Sequence, residues 1–191
     1  MESRLFQALK AFKGADGCEA NLFEEFKKIA EAAFFSGYFL INGGCKDAYK
    51  LKLTCIEFYY HEDDGNIKDE KKYLKGKDEF GYALGAVCPN PSGVDVLFDD
   101  PQKKYHASFL IRGYKAIEPG KKEWENNEKR KDWAPHDFWY DFFGGANMLS
   151  NGKFSIEWID EPDETSDYAE PMQRINIEDN RLWGFKRVEK L

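Results

Sequence analysis

Four cysteines, three histidines and three methionines are all that the 191-residue chain holds of the side chains that usually announce metal or redox chemistry. Cys18, Cys45, Cys55 and Cys88 form no CxxC pair, and no histidine stands at ligand spacing from any of them, so the spacing implies neither a zinc site nor a dithiol centre. Four scattered thiols suit a reducing compartment better than a disulfide scaffold. His61, His106 and His136 have no partner at diagnostic spacing and read as structural or exposed. Asp63, Asp64 and Asn66 miss the spacing of a calcium loop and read as a solvated turn. There is no GxGxxG, Walker loop, GxSxG or HExxH. Long apolar runs are also lacking. The longest, residues 32–41, is interrupted by Ser36 and Gly37 and is too short to span a bilayer. The N-terminal MESRLFQALKAFKG has no apolar core of a signal peptide. The expectation is a soluble cytoplasmic protein with no membrane partner, no metal and no cofactor.

Excess positive charge is missing too. Against 28 Lys and Arg stand 35 Asp and Glu, a formal net charge of −7. Such a balance gives no general drive toward nucleic acid or anionic lipid. The only stretches suited to phosphate contacts are 68–77 (KDEKKYLKGK) and 121–131 (KKEWENNEKRK), and in both the lysines are interleaved with acids.

What the chain has in quantity is aromatic residues, 16% of the total, within an apolar content of 42%. That is enough for one folded core rich in Phe, Tyr and Trp. Apolar residues at helical spacing predict helices over 2–13 and 19–36, the second with Leu22, Phe23, Phe26, Ile29, Ala30 and Ala33 on one stripe. Strands are predicted at 38–42, 49–60, 80–88, 94–98, 105–117 and 153–159, with a Gly43-Gly44 turn after the first and a turn in CPNPSG at 88–93. A further helix is expected at 136–149, and a final strand pair from RINI and RLWGFKRV within 174–188. Residues 61–79, 119–135 and 160–171 read as charged connectors. Strands do not alternate with helices, and there is no repeat or break in composition. The pattern predicts a single α+β domain over 1–191 with a curved, largely antiparallel or mixed sheet and packed helices.

The residue that stands out is Glu57. In YKLKLTCIEFYY, every second residue from Tyr49 gives Leu51, Leu53, Cys55, Glu57 and Tyr59, while the other face begins Lys50, Lys52, Thr54. Alternation of this kind marks a half-buried strand and puts Glu57 on its apolar side. A carboxylate there must be paired, hydrogen-bonded or protonated. It is either a candidate acid or base, or a strand-end glutamate that reaches solvent or pairs with an arginine. Asp95 in VDVLF and Arg112 after SFLI are likewise charged residues on apolar strands. If the strands are neighbours, two carboxylates and a guanidinium converge, as a pocket or as a buried salt-bridge network that orients the sheet.

The order CIEFYY, a charged loop, SGVDVLF, ASFLIR, a helix before NGKFSIEWI and a closing RLWGFKRV resembles the alkyladenine (3-methyladenine) DNA glycosylases over roughly residues 25–188. The resemblance implies excision of alkylated purines from damaged duplex DNA with no metal. It puts Glu57 on the carboxylate that activates water, Tyr59 on the aromatic that stacks on the flipped base, Asp95 where the family carries a pocket Asn, and Arg112 beside the attacking water. Such chemistry needs a carboxylate to deprotonate water and support an oxocarbenium-like sugar, and an aromatic face for a cationic base. Two departures stand out. CPNPSG has no aromatic where the family carries its minor-groove wedge, and Asp95 in place of Asn adds a second negative charge near Glu57. The alternative is a non-catalytic binding or structural protein of the same fold.

Overall fold

The computed structural model describes residues 2–15, 18–42, 48–69, 83–100, 102, 105–131, 134–144 and 154–190. Two helices open the chain. Helix α1 (Arg4–Ala11) starts where the Ser3 hydroxyl accepts from the Phe6 amide at 3.2 Å, a side-chain N-cap. It buries Leu5 and Leu9. Helix α2 (Glu19–Phe35) buries Leu22, Phe26, Ile29, Ala30, Ala33 and Phe34, the stripe expected from their spacing.

Among the described residues, nine strands then form one antiparallel sheet that curls into a half-barrel, an α+β fold with three helices. They are β1 (Gly37–Asn42), β2 (Tyr49–Glu62), β3 (Val87–Asn90), β4 (Gly93–Leu97), β5 (Tyr105–Ile117), β6 (Trp124–Asn127), β7 (Ser155–Asp160), β8 (Tyr168–Met172) and β9 (Gly184–Val188). The main path runs β3-β4-β5-β2-β1-β7. Strand β2 is its spine. It pairs with β5 from Lys50 to Glu62 on one side, and with β1 and then β9 on the other.

The half-buried character expected of β2 holds only in its first part. Lys50, Lys52 and Thr54 are partly exposed, but Ile56, Phe58 and Tyr60 on the same side are buried. The cause is α2, whose Phe26 stacks on Phe58 with centroids 4.4 Å apart and planes 7° from parallel. Phe12 follows on Phe26 at 5.7 Å. The opposite side of the sheet is covered by helix α3 (Pro135–Phe143), whose Phe138 and Phe142 meet the Tyr114 ring at 5.0 and 5.8 Å. From Ile56 to Tyr60, β2 is buried on both faces, with Arg174 and Ile175 covering Tyr59 and Glu57 on the side away from α2.

Several boundaries differ from the sequence reading. The 80–88 strand is instead β3, which runs through Cys88 and Pro89 into what read as a turn, and the reversal tightens to Pro91-Ser92 with Asn90 paired to Gly93. Residues 80–82, the Gly43-Gly44 turn and the end of the 136–149 helix beyond Gly144 lie outside the described residues. The charged connector at 119–135 contains β6, paired to the end of β5. RINI is not a strand. The partner of β9 is β8, from the acidic segment, and residues 173–183 between them cross the sheet as an irregular strap.

Strand β9 packs closely on β8 at Gly184, which pairs with Met172 on one side and with Glu57 on the other. A Cβ on Gly184 would lie 2.9 Å from Met172 Cγ and 3.1 Å from the Met172 carbonyl oxygen. Gly184→Ala should therefore cost about 1–3 kcal/mol, the range for overpacking a filled site. Urea unfolding measures it. Unchanged stability would mean that Met172 gives way without cost.

Candidate functional site

Register assembles the site. Glu57 pairs with Leu110 and Tyr59 with Ser108 across β2 and β5, and Leu110 pairs with Asp95 across β5 and β4. Paired residues share a face, so Glu57, Tyr59 and Asp95 project together, and Arg112 joins them two residues on from Leu110. The structure thus brings the four sequence candidates to one side of the sheet, opposite the α1–α2 layer.

At the centre the Glu57 carboxylate has no exposed surface. Its Oε2 accepts from Arg112 Nε at 2.8 Å and from the Tyr59 hydroxyl at 3.0 Å. Its Oε1 accepts from the backbone N–H of Ile175 in the strap. Three donors on one carboxylate, one of them a guanidinium, are what a fully buried charge requires. Arg112 also donates from Nη1 to the Ser92 carbonyl at 3.4 Å, which ties the β3–β4 turn to the cluster. Burial raises the pKa of the Tyr59 hydroxyl, and Glu57 raises it further. Asp95, across Leu110, accepts from Asn90 Nδ2 at 2.8 Å.

Residues that sequence reasoning missed complete the cluster. Glu128 follows β6, and its Oε2 lies 3.9 Å from Arg112 Nε with no hydrogen-bond partner among the described residues. Burial pushes its carboxyl up to about 7; Arg112 pulls it back and Glu57 adds to the rise. The neighbouring Cys55 thiol is pushed up to about 12, chiefly by burial, and is no nucleophile at neutral pH.

Above Tyr59 sits Arg174, the second residue of the strap. Its guanidinium carbon is 4.8 Å from the Tyr59 ring centroid and 5.2 Å from that of Trp183. It pairs with Asp69, itself fully buried, and with Asp179, and it donates to the Phe58 carbonyl at 3.3 Å. Arg181 shares Asp179 at 2.8 Å and lies 4.1 Å over Trp183. The only sequence signal for this was an arginine within RINI, an apolar segment too short to need one.

The cations of one outer groove are paired as well. A groove of about 710 Å³ along the exposed part of β2 is lined by Lys52, Lys115 and Arg187. There Lys52 meets Asp163 at 2.8 Å, Lys115 meets Glu189 at 2.9 Å and Arg187 meets Asp163 at 2.7 Å. Among the described residues, no three His, Cys, Asp or Glu are grouped to hold a metal. No described helix is long and apolar enough to cross a membrane. Most of the 68–77 stretch lies outside the described residues.

Glu57→Gln leaves buried Arg112 with only the more distant Glu128, 3.9 Å away, as a counter-charge, and should cost about 3–5 kcal/mol, whereas Glu57→Leu with Arg112→Met should recover much of that loss. A double-mutant cycle by urea unfolding reads the coupling; simple additivity would mean the pair is not coupled. Glu128 predicts a pH effect. Its folded pKa of about 7 exceeds the ordinary 4.5, so the folded protein holds a proton that the unfolded chain has lost. Stability therefore falls as pH rises between those values, and the penalty is complete above about 7. Glu128→Gln lacks it, so the Tm of the variant minus that of wild type should widen from about pH 5 to about pH 8. A constant gap would show that Glu128 is solvated.

With this geometry in view, comparison with known proteins gives no family: no protein-family description, no curated protein and no solved structure matches this chain.

Proposed function

We propose that the Glu57 face is the active site of a glycosylase-like hydrolase that removes an alkylated, cationic purine from DNA. The observation that carries this is the contact of Arg112 Nε with Glu57 Oε2 at 2.8 Å, on a face shared with Tyr59 and Asp95. In the reaction the C1′–N bond breaks and the base leaves with the bonding electrons. A water oxygen bonds to C1′, and Glu57 takes the water proton while its charge supports the sugar cation. Arg112 orients the carboxylate through its Nε, and Tyr59 offers a ring to the base. The aromatic missing from CPNPSG has a counterpart on α3. Trp139, 38% exposed, donates from Nε1 to the Asn90 and Gly93 carbonyls of that turn at 2.9 and 2.7 Å.

One observation favours a second reading, a non-catalytic binding or structural protein. Glu57 is inaccessible, and the Tyr59 ring is already faced by the chain's own Arg174. On the first reading, the strap must open for substrate to enter.

The test is release of free base from methylated duplex DNA at low salt. Wild type should release base, Glu57→Gln should fall by about two orders of magnitude or more at a temperature where it remains folded, and DNA affinity should drop steeply with added salt. No release and no binding to damaged or undamaged duplex would remove the hydrolase reading and leave the second.

A further inference from the structure

We propose that the slot between Tyr59 and Trp183 is a binding site for a planar organic cation carrying N–H donors, an amidinium-like group, and that Arg174 occupies this site in cis and holds it closed. The catalytic consequence rests on the hydrolase reading above; the binding itself does not.

The slot has the parts such a ligand needs. Two aromatic rings lie within cation–π distance of the guanidinium carbon, at 4.8 and 5.2 Å. Buried Asp69 supplies a carboxylate with no exposed surface, and Asp179 and the Phe58 carbonyl are further acceptors. With Arg174 withdrawn, two carboxylates, Asp69 and Asp179, are left to Arg181 alone, 3.7 Å from Asp69, so the ligand that restores the balance is a cation that donates hydrogen bonds. A neutral ring of the same shape does not satisfy it.

Arg174 fills the site incompletely. Its Nε is buried and has no acceptor among the described residues, a loss that a bound arginine usually avoids. It belongs to an irregular strap with the sheet pairs of β8 and β9 on either side, so displacement need not break a strand. Within the strap, Ile175 donates to Glu57 one residue on from Arg174. Lifting Arg174 off Tyr59 therefore also loosens the cover on Glu57. On the hydrolase reading, an alkylated aminopurine is the planar cation that competes with Arg174, and its binding uncovers the carboxylate.

Benzamidinium and its neutral isostere benzamide probe the slot, with calorimetry and quenching of tryptophan fluorescence as readouts. Arg174→Ala removes the competitor, and Arg174→Gln, which keeps hydrogen-bonding groups in the slot without the charge, serves if the first variant does not fold. A site freed from internal occupancy binds more tightly by the fraction released. Both folded variants should bind benzamidinium about tenfold or more tighter than wild type, with no gain for benzamide. Equal affinity in wild type and a folded variant, or an equal gain for benzamide, overturns the proposal. The same variants are assayed for base release. Binding gained without release from any of them sinks the hydrolase and leaves the slot; release gained with binding supports both.

Discussion

A carboxylate and a guanidinium buried together set the terms for much of this fold. Removing Glu57 and Arg112 from water costs several kcal/mol per ion, and their mutual attraction offsets it only if the remaining donors and acceptors are supplied. Here the supply comes from separate parts of the chain: Tyr59 on the same strand, Ser92 in the β3–β4 turn and the Ile175 amide in the strap. None of these comes free of the others' placement. The pair is weak as a source of stability and strong as a constraint, since the turn and the strap must both arrive before the charge is satisfied.

The Arg174 cluster repeats the arrangement one layer out. Asp69 and Asp179 balance Arg174 and Arg181, and the rings of Tyr59 and Trp183 replace water around the guanidiniums. The two clusters meet at Tyr59, which donates to Glu57 and faces Arg174. A chain with a net charge of −7 thus commits several of its cations to internal acids, and those in the outer groove are matched there as well.

Legibility from sequence followed the range of the interactions. The stripe of α2 and the alternation of β2 are local, and both were visible as periodicities. The shared face of Glu57, Tyr59, Asp95 and Arg112 could be suspected because each is polar on an apolar strand, but only register joins them. RINI alternates like a strand, and local pattern has no means of showing that the Ile175 amide is taken by Glu57 instead of a neighbouring strand. Glu128 looked like any acid in a charged connector, because its raised pKa comes from burial produced by residues distant in sequence. Pro89 suggested a turn, and an edge strand tolerates it where a central strand would not.

Pro89 has a further consequence at the level of assembly. The strand that ends the sheet path on one side, β3, carries it, and β8, which among the described residues pairs only with β9, carries Pro171. A proline offers no amide proton to an incoming backbone, so neither border presents an unbroken row of donors. At the other end of the path, β7 carries Glu157 and Asp160, whose charges a second strand would have to desolvate. Among the described residues, these three borders of the open sheet are poor templates for a further strand.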